Sequence, residues 1–402
     1  MRSLPFSEMV EINPWVKLEK GKEYPFISMG VVEPNRRYVS EAEHRIYNGG
    51  GAKFLAGDIL FARITPCLEN GKIAQYKPEG ISTAFGSTEF FIFRSYPSIS
   101  DPGYIYYLAK SDLIRKPAEK SMSGASGRQR ADLSSIKNLK VPAPPLPTQR
   151  KITAILSAYD DLIENNIRRI KILEEMAQAL YREWFVHFRF PGHEKARLID
   201  SPLGKIPEGW EVKELKDVCH LIMGQSPKSK YYNTDKLGLP FHQGVTDFGN
   251  RFPNKRFYCS IKGRIADKGD ILFSVRAPVG RINIANTKMV IGRGLCAIRH
   301  KAGFQWYTFH VLKEVFNEED IIGGGTIFKS VTKKDMERIN LLTPTESLAH
   351  QFEHVVEPLE KQIDNLTQKN TTLCRTRDLL LPKLISGELD VSELDIAIPE
   401  ED

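Results

Sequence analysis

The 402 residues are 41% hydrophobic, 10% aromatic and 27% charged, a composition of folded globular chains and not of disordered or fibrous ones. No run approaches the ~20 consecutive apolar residues of a membrane span. Pro5, Glu8 and Glu11 interrupt the start where a secretion signal needs an apolar stretch, and five scattered cysteines without a CxxC pair exclude a disulfide framework and a zinc finger, so a cytoplasmic protein that meets no membrane is expected.

The net charge of +7 is unevenly spread. Residues 386–402 hold seven acidic and no basic side chains, which leaves +14 on residues 1–385 and suits a polyanionic partner.

The chain repeats itself with a period near 200 residues. The first copy opens on short apolar runs broken by Gly, Pro and Asn, the texture of a mostly β domain, predicted over 1–145. Its marker is Gly57-Asp58-Ile59-Leu60-Phe61, followed by the basic turn Arg63-Ile64-Thr65-Pro66. The apolar run Glu89–Phe93 follows, then a short helical patch at Tyr104–Lys110. The loop Ser123-Gly124-Ala125-Ser126-Gly127-Arg128-Gln129-Arg130 combines hydroxyls, glycines and long donors. Arginine can read guanine, glutamine can read adenine, and hydroxyls suit phosphates. Arg63 and Lys72, which flank the turn, join the candidate DNA contacts.

PAPPLP at 142–147 marks a boundary, and a long helix follows, predicted over 146–190. Its apolar positions run Ile152, Leu156, Tyr159, Ile163, then Asn166, then Ile170, Leu173, Ala177, Leu180 and Trp184, alternating four and three. That is a heptad seam, whose 3.5-residue period favours helix-on-helix pairing. Asp160-Asp161 and Glu174-Glu175 are expected on its wet face, and Tyr181, Trp184 and Phe185 at its end are expected to be exposed for a protein partner.

The second copy is predicted over 191–345, after a Pro- and Gly-rich boundary at 191–207. Gly269-Asp270-Ile271-Leu272-Phe273 and Arg276-Ala277-Pro278 answer the first marker and turn. GGGTI at 323–327 answers SGASG at 123–127, and Met336–Pro344 answers Ile136–Pro144 at a shift of 200 without a gap. Met289–Ile291 reads as a strand and Trp306–Val315 as a short helix. Candidate DNA contacts here are Gln225, Ser226, Lys228, Gln243, Arg276, Arg281, Thr326 and Lys329, with His242 beside them.

A second long helix is predicted over 346–386, and an acidic tail over 387–402. Phe352, Val356, Leu359, Ile363, Leu366, Asn370, Leu373, Arg377, Leu380 and Leu384 repeat the first seam at a shift of 200. Of the 20 seam positions 17 are apolar, too many for two solvated helices. An antiparallel pair in which facing residues sum to 536 sets Asn166 against Asn370, Trp184 against Phe352 and Arg377 against Tyr159. A buried Asn pair fixes register at a cost in stability. Pro382 is expected to kink or end the second helix.

Catalytic signatures are missing. GGGTIFKS at 323–330 has Phe328 where a phosphate loop needs glycine, the Pro-Pro pair at 144–145 follows Ala143 instead of an Asn or Asp, and there is neither a GxSxG nor an HExxH. His350 and His354 stand one helical turn apart without a third ligand nearby. From the residues alone, a DNA-recognition subunit, a free-standing methyltransferase or nuclease, and a coiled-coil scaffold for protein partners all remain open.

The repeat, the GDILF turns, PPLPTQRKI, DDLIENNIRRIKILEEM, Tyr181-Arg182-Glu183-Trp184-Phe185 and LLLPKLISGEL together resemble the specificity subunit of type I restriction-modification systems. The resemblance covers nearly the whole chain. It implies an α+β fold: two mostly-β target-recognition domains separated by an antiparallel two-helix coiled-coil spacer, with a pseudo-twofold internal repeat. It implies no catalytic activity and no cofactor in this chain. Each domain would read one half of an asymmetric split site in double-stranded DNA. Two modification subunits would carry S-adenosylmethionine, and restriction subunits would use ATP and Mg.

Overall fold

The computed structural model describes residues 2–40, 43–125, 127–316 and 331–398. These form two compact units, residues 1–169 with 365–402 and residues 170–364. The expected division set both long helices apart from the domains. The packing instead assigns the start of the first helix and the end of the second to the first unit, and their other parts to the second unit.

In the first unit a five-stranded sheet has the order Val10–Ile12, Phe90–Ser95, Ile59–Ala62, Ile73–Tyr76, Tyr38–Val39. A four-stranded sheet has the order His44–Ile46, Glu23–Ile27, Thr83–Gly86, Ala52–Leu55, in which Glu23–Ile27 runs parallel to Thr83–Gly86. The second unit repeats the plan. Cys219–Met223, Leu295–His300, Ile271–Ser274 and Ile282–Ile284 form one sheet in that order. Leu239–His242 runs parallel to Met289–Ile291 in another.

The repeated GDILF segment has a local cause. Gly57 and Gly269 adopt φ of +86° and +92°, which turns the chain into the strand. The next residue, Asp58, accepts from the Leu55 amide at 2.8 Å and from Arg94 on the neighbouring strand at 2.8 and 2.6 Å. Asp270 does the same with the Asp267 amide at 2.8 Å and Arg299 at 2.6 and 2.7 Å. Both carboxylates are 2% exposed, so burial is tolerated only because each is paired and hydrogen-bonded. Ile59, Phe61, Ile271 and Phe273 then point into the cores.

The first long helix spans Leu146–Tyr181 and continues as a π-helical turn over Arg182–Val186. Its start is fixed by Gln149, which is fully buried: it accepts from the Asp101 amide and donates to the carbonyls of Ile99 and Pro144, each at 2.9 Å. Within the first unit, Ile152 and Leu156 share a core with Tyr104–Ala109 and with Leu381, Leu384 and Ile385 of the second helix. The second helix spans Glu346–Ser386 and is not broken at Pro382. The proline is exposed while Leu381, Leu384 and Ile385 are buried. Burying those three, at roughly 1.5–3 kcal/mol each, outweighs the ~3 kcal/mol cost of a proline in a helix. After the helix, Val391 is buried in the first unit's core and Lys151 donates to the Ser392 carbonyl at 2.6 Å, so this part of the acidic tail is docked.

In the first unit the paired helix segments run antiparallel. Asn166 donates to Asn370 at 2.8 Å, and Arg377 donates to Asp160 at 2.5 Å. Arg377 therefore bonds Asp160, the residue next to Tyr159. Asp160 is 4% exposed, which corrects its expected place on the wet face. Tyr107, on the helix Pro102–Lys110, also donates to it, at 2.5 Å. Asp161 and Glu175 are exposed, and Glu174 is half-buried. In the second unit, Glu360 is 1% exposed and accepts from Arg251, with His310 Nε2 at 3.0 Å. Each unit thus sinks a carboxylate of a long helix, at positions 200 apart, and satisfies it with side chains from its own fold.

Candidate nucleic-acid interface

In the first unit, tertiary contacts bring the sequence-distant candidates together. The loop closes on itself by backbone bonds between Ser123 and Arg130 at 3.1 and 2.9 Å, with Gly124 and Gly127 at φ of +125° and +80°. It is stapled to the turn after Ile59–Ala62: the Thr65 amide donates to the Gln129 carbonyl at 3.0 Å and the Ala131 amide to the Arg63 carbonyl at 2.8 Å. Glu89 organises the charges. Arg130 donates to it at 2.5–3.0 Å and Arg63 at 3.3 Å. The Arg130 hydrogen bond, more than Arg63, holds the Glu89 carboxyl below its ordinary pKa.

Two of the expected DNA-reading arginines are therefore engaged with a carboxylate of the same fold. Lys72 is half-buried and donates to the Met29 carbonyl at 2.7 Å. Arg128 and Ser123 are exposed, and Gln129 is half-buried. Ser126 lies outside the described residues. Glu89 is the organiser that sequence reasoning missed. It stands at the head of an apolar run, and nothing local marks it as the partner of arginines 26 and 41 residues away.

In the second unit three segments converge. The Gly292 amide donates to the His242 carbonyl at 2.8 Å, Gly294 to Gln243 at 3.1 Å, and Gln225 to Ile291 at 3.1 Å. Ser226 donates to the Gln243 side chain at 2.8 Å and accepts from the Arg293 amide at 3.2 Å. Glycine is required for this approach. A Cβ on Gly224 would lie 2.1 Å from the Gly292 carbonyl oxygen, and one on Gly292 would lie 2.6 Å from the Gln243 side chain. The result is a surface that presents Gln225, Gln243 and Arg293 exposed, with Ser226 half-buried between them. Gly292-Arg293-Gly294 is a turn, as its composition implies, and it adds Arg293 to the candidates.

His242 does not reach the surface. It is fully buried, and neither ring nitrogen has a hydrogen-bond partner among the described residues. Burial lowers its pKa to about 4, so it is neutral at pH 7. Lys228 and Arg276 are exposed, and Arg281 is exposed with its amide donating to Ser274 Oγ at 2.8 Å. Thr326 and Lys329 lie outside the described residues, as does the rest of the 323–330 loop.

Tyr181, Trp184 and Phe185 are not an exposed patch. They are 7%, 9% and 4% exposed. Phe185 meets Tyr307 and Phe352 with ring centroids 4.9 and 5.0 Å apart, and Trp184 meets Phe352 at 5.9 Å. The helix that carries Tyr307, Gln305–Val315, packs onto the aromatic end of the first helix inside the second unit, a neighbour that helical periodicity cannot reveal. His350 and His354 are both exposed, and no group of three or more metal-ligating side chains occurs among the described residues. No described helix is long and apolar enough to cross a membrane.

The chain matches the family described as type I restriction modification DNA specificity domain twice, over residues 8–175 and 207–375. It is 32% identical to the putative type I restriction enzyme MjaX specificity subunit of Methanocaldococcus jannaschii, over 84% of this chain and 80% of the relative. It is 28% identical to the MjaIX specificity subunit of the same organism, over 95% and 88%. Its fold is similar to the crystal structure of the S subunit of a type I restriction-modification system from M. genitalium, with a TM-score of 0.54 and 15% identity over 96% of each chain.

Proposed function

Since the chain belongs to the type I restriction-modification DNA specificity family, with two copies of its domain, we propose that each copy reads one half of an asymmetric, bipartite site in double-stranded DNA. The observation that carries this reading is the duplication itself. The two units share a framework, down to a buried aspartate paired with a partly exposed arginine, Asp58 with Arg94 and Asp270 with Arg299. Their surfaces differ in chemistry. The first offers a loop of hydroxyls and an exposed Arg128 beside an arginine–glutamate cluster. The second offers amides and Arg293 on close-packed glycines. A common framework with different donors and acceptors reads two different half-sites.

The two long helices act in this reading as an antiparallel coiled-coil spacer with a pseudo-twofold repeat. Support comes from the Asn166–Asn370 bond and from burial along 161–175, which matches that along 361–375 residue for residue. At 1.5 Å per residue, a helix of 36 residues is about 54 Å long, enough for half-sites about one DNA turn apart. The chain itself performs no bond chemistry. It places two modification subunits, which bring S-adenosylmethionine, and it joins restriction subunits that use ATP and Mg. With Tyr181, Trp184 and Phe185 buried, docking falls to the exposed helix faces. Leu162 and Leu379 in the first unit are 55% and 60% exposed, and Met176 in the second is 52% exposed.

The test is methylome mapping in a strain with and without this gene. One split adenine-methylated motif, with an unread gap, disappears when the gene is removed. An unchanged methylome overturns the proposal.

A further inference from the structure

Trp15 is 78% exposed, the most exposed of the large hydrophobic side chains among the described residues. The other three tryptophans are buried or half-buried. Its neighbours hold it rigidly. Pro14 and Val16 are buried on either side, and Asn13 is clamped to the adjacent strand: its amide donates to the Ile92 carbonyl at 2.7 Å and its side chain accepts from the Ile92 amide at 3.0 Å. A large indole fixed in water with so little backbone freedom is preorganised to be covered by something else.

The surroundings identify what covers it. Trp15 stands at the lip of a cleft of about 390 Å³ that is also lined by Lys53, Arg63, Thr88 and Phe91. Arg63 is the residue that Glu89 ties to Arg130, so the cleft adjoins the 123–130 loop within one unit. Exposed Lys17 and Lys20 follow the tryptophan by two and five residues, with Glu19 between them turned to Lys22. Cations beside an aromatic face suit a phosphate backbone with bases or sugars next to it, and they do not suit an apolar protein surface.

We infer that Trp15 is a DNA contact of the first unit, laying its indole against a thymine methyl group in the major groove, and the deoxyribose beside it, next to the bases faced by the 123–130 loop. The inference rests on the proposed reading of a split site and adds to it a specificity-determining residue. Burying the indole against the duplex is worth about 10- to 100-fold in affinity.

The test uses the full chain in complex with its modification subunits. Binding to a duplex carrying the mapped site is measured by fluorescence anisotropy for wild type, Trp15→Ala and Trp15→Phe, together with methylation motifs in cells. The expected result is a loss of about 10- to 100-fold for Trp15→Ala, retention of most of the affinity by Trp15→Phe, and a motif relaxed in one half only. Binding by Trp15→Ala within twofold of wild type overturns the inference. So does a loss traced to failed assembly with the modification subunits, which would make the indole a protein contact. A wild-type complex that distinguishes no split site at all overturns the function proposed above, and this inference with it.

Discussion

Arg377 of the second long helix donates to Asp160 of the first at 2.5 Å, and the two side chains are 2% and 4% exposed. This is a buried ion pair, and Tyr107 ties it to the recognition fold of the first unit. Removing one partner of such a pair leaves an uncompensated buried charge and costs about 3–5 kcal/mol. Arg377→Ala is therefore expected to destabilise the protein by that amount in urea unfolding. The Asp160→Ala, Arg377→Ala double variant is expected to lose clearly less than the sum of the single losses. Additive losses would show that the pair contributes no coupling.

Glu353 sits on the second helix and accepts from the Tyr307 amide at 2.8 Å, so it caps the helix Gln305–Val315, which has no side-chain cap of its own. Burial raises its pKa to about 7 despite the capping bonds. The folded state therefore holds a proton that the unfolded chain releases near 4.5. Its contribution to stability is full below that value and falls as pH rises towards 7. Glu353→Gln keeps the acceptor and removes the titration. The variant is expected to gain about 2 kcal/mol on wild type between pH 5 and pH 8. A difference that does not change with pH would mean that the carboxylate is ionised throughout.

Arg128 is exposed at the 123–130 loop, whereas Arg130 is bound to Glu89. Arg128→Ala is expected to change one half of the methylated motif and leave the other intact, as a base contact does, at about 1–3 kcal/mol. Arg130→Ala is expected to act mainly through the Glu89 carboxylate it releases. Converting that residue as well, in Arg130→Ala with Glu89→Gln, restores much of the activity. A uniform loss of affinity in Arg128→Ala, with no change in preference, would reduce Arg128 to a phosphate contact.

Asp58→Ala strands the Leu55 amide and frees the half-buried Arg94, and Asp270→Ala strands the Asp267 amide while Arg299 keeps its bond to Asp267. Each is expected to cost about 1–3 kcal/mol, the cost of the buried amide left without a partner. The loss of amide-exchange protection should stay within the altered repeat, first in Ile59–Ala62 and Phe90–Ser95 for Asp58→Ala. Loss of protection across both repeats would show that the units unfold as one.

Elements whose signal is local were legible. Tyr104–Lys110 and Trp306–Val315 fall within the helices Pro102–Lys110 and Gln305–Val315, and Met289–Ile291 is a strand. The segments after both GDILF glycines are strands because a positive-φ turn and a short apolar run, buried on both faces, are properties of neighbouring residues. Pro382 misled for the same reason. A proline's effect on a helix is local, but the burial of Leu381, Leu384 and Ile385 that offsets it is not. At the candidate interface the loop residues could be named from their chemistry, but not which of them the fold would occupy. Arg63, Arg130 and Lys72 each find a partner far away in the chain.

The sequence by itself determined the duplication, the presence of the two long helices and the family, because these rest on periodicity and on motifs that neighbouring residues carry. Only the tertiary structure decided which charges leave water. Asp160, Glu360 and Arg377 look solvated or misplaced on a helical wheel, and each is buried by a partner supplied from elsewhere in the fold. It also decided that Tyr181, Trp184 and Phe185 are core. A helix's pattern shows which side is apolar. What covers that side, and which ions are brought along, depends on contacts between residues far apart in the chain, and their energies are set only once those residues meet.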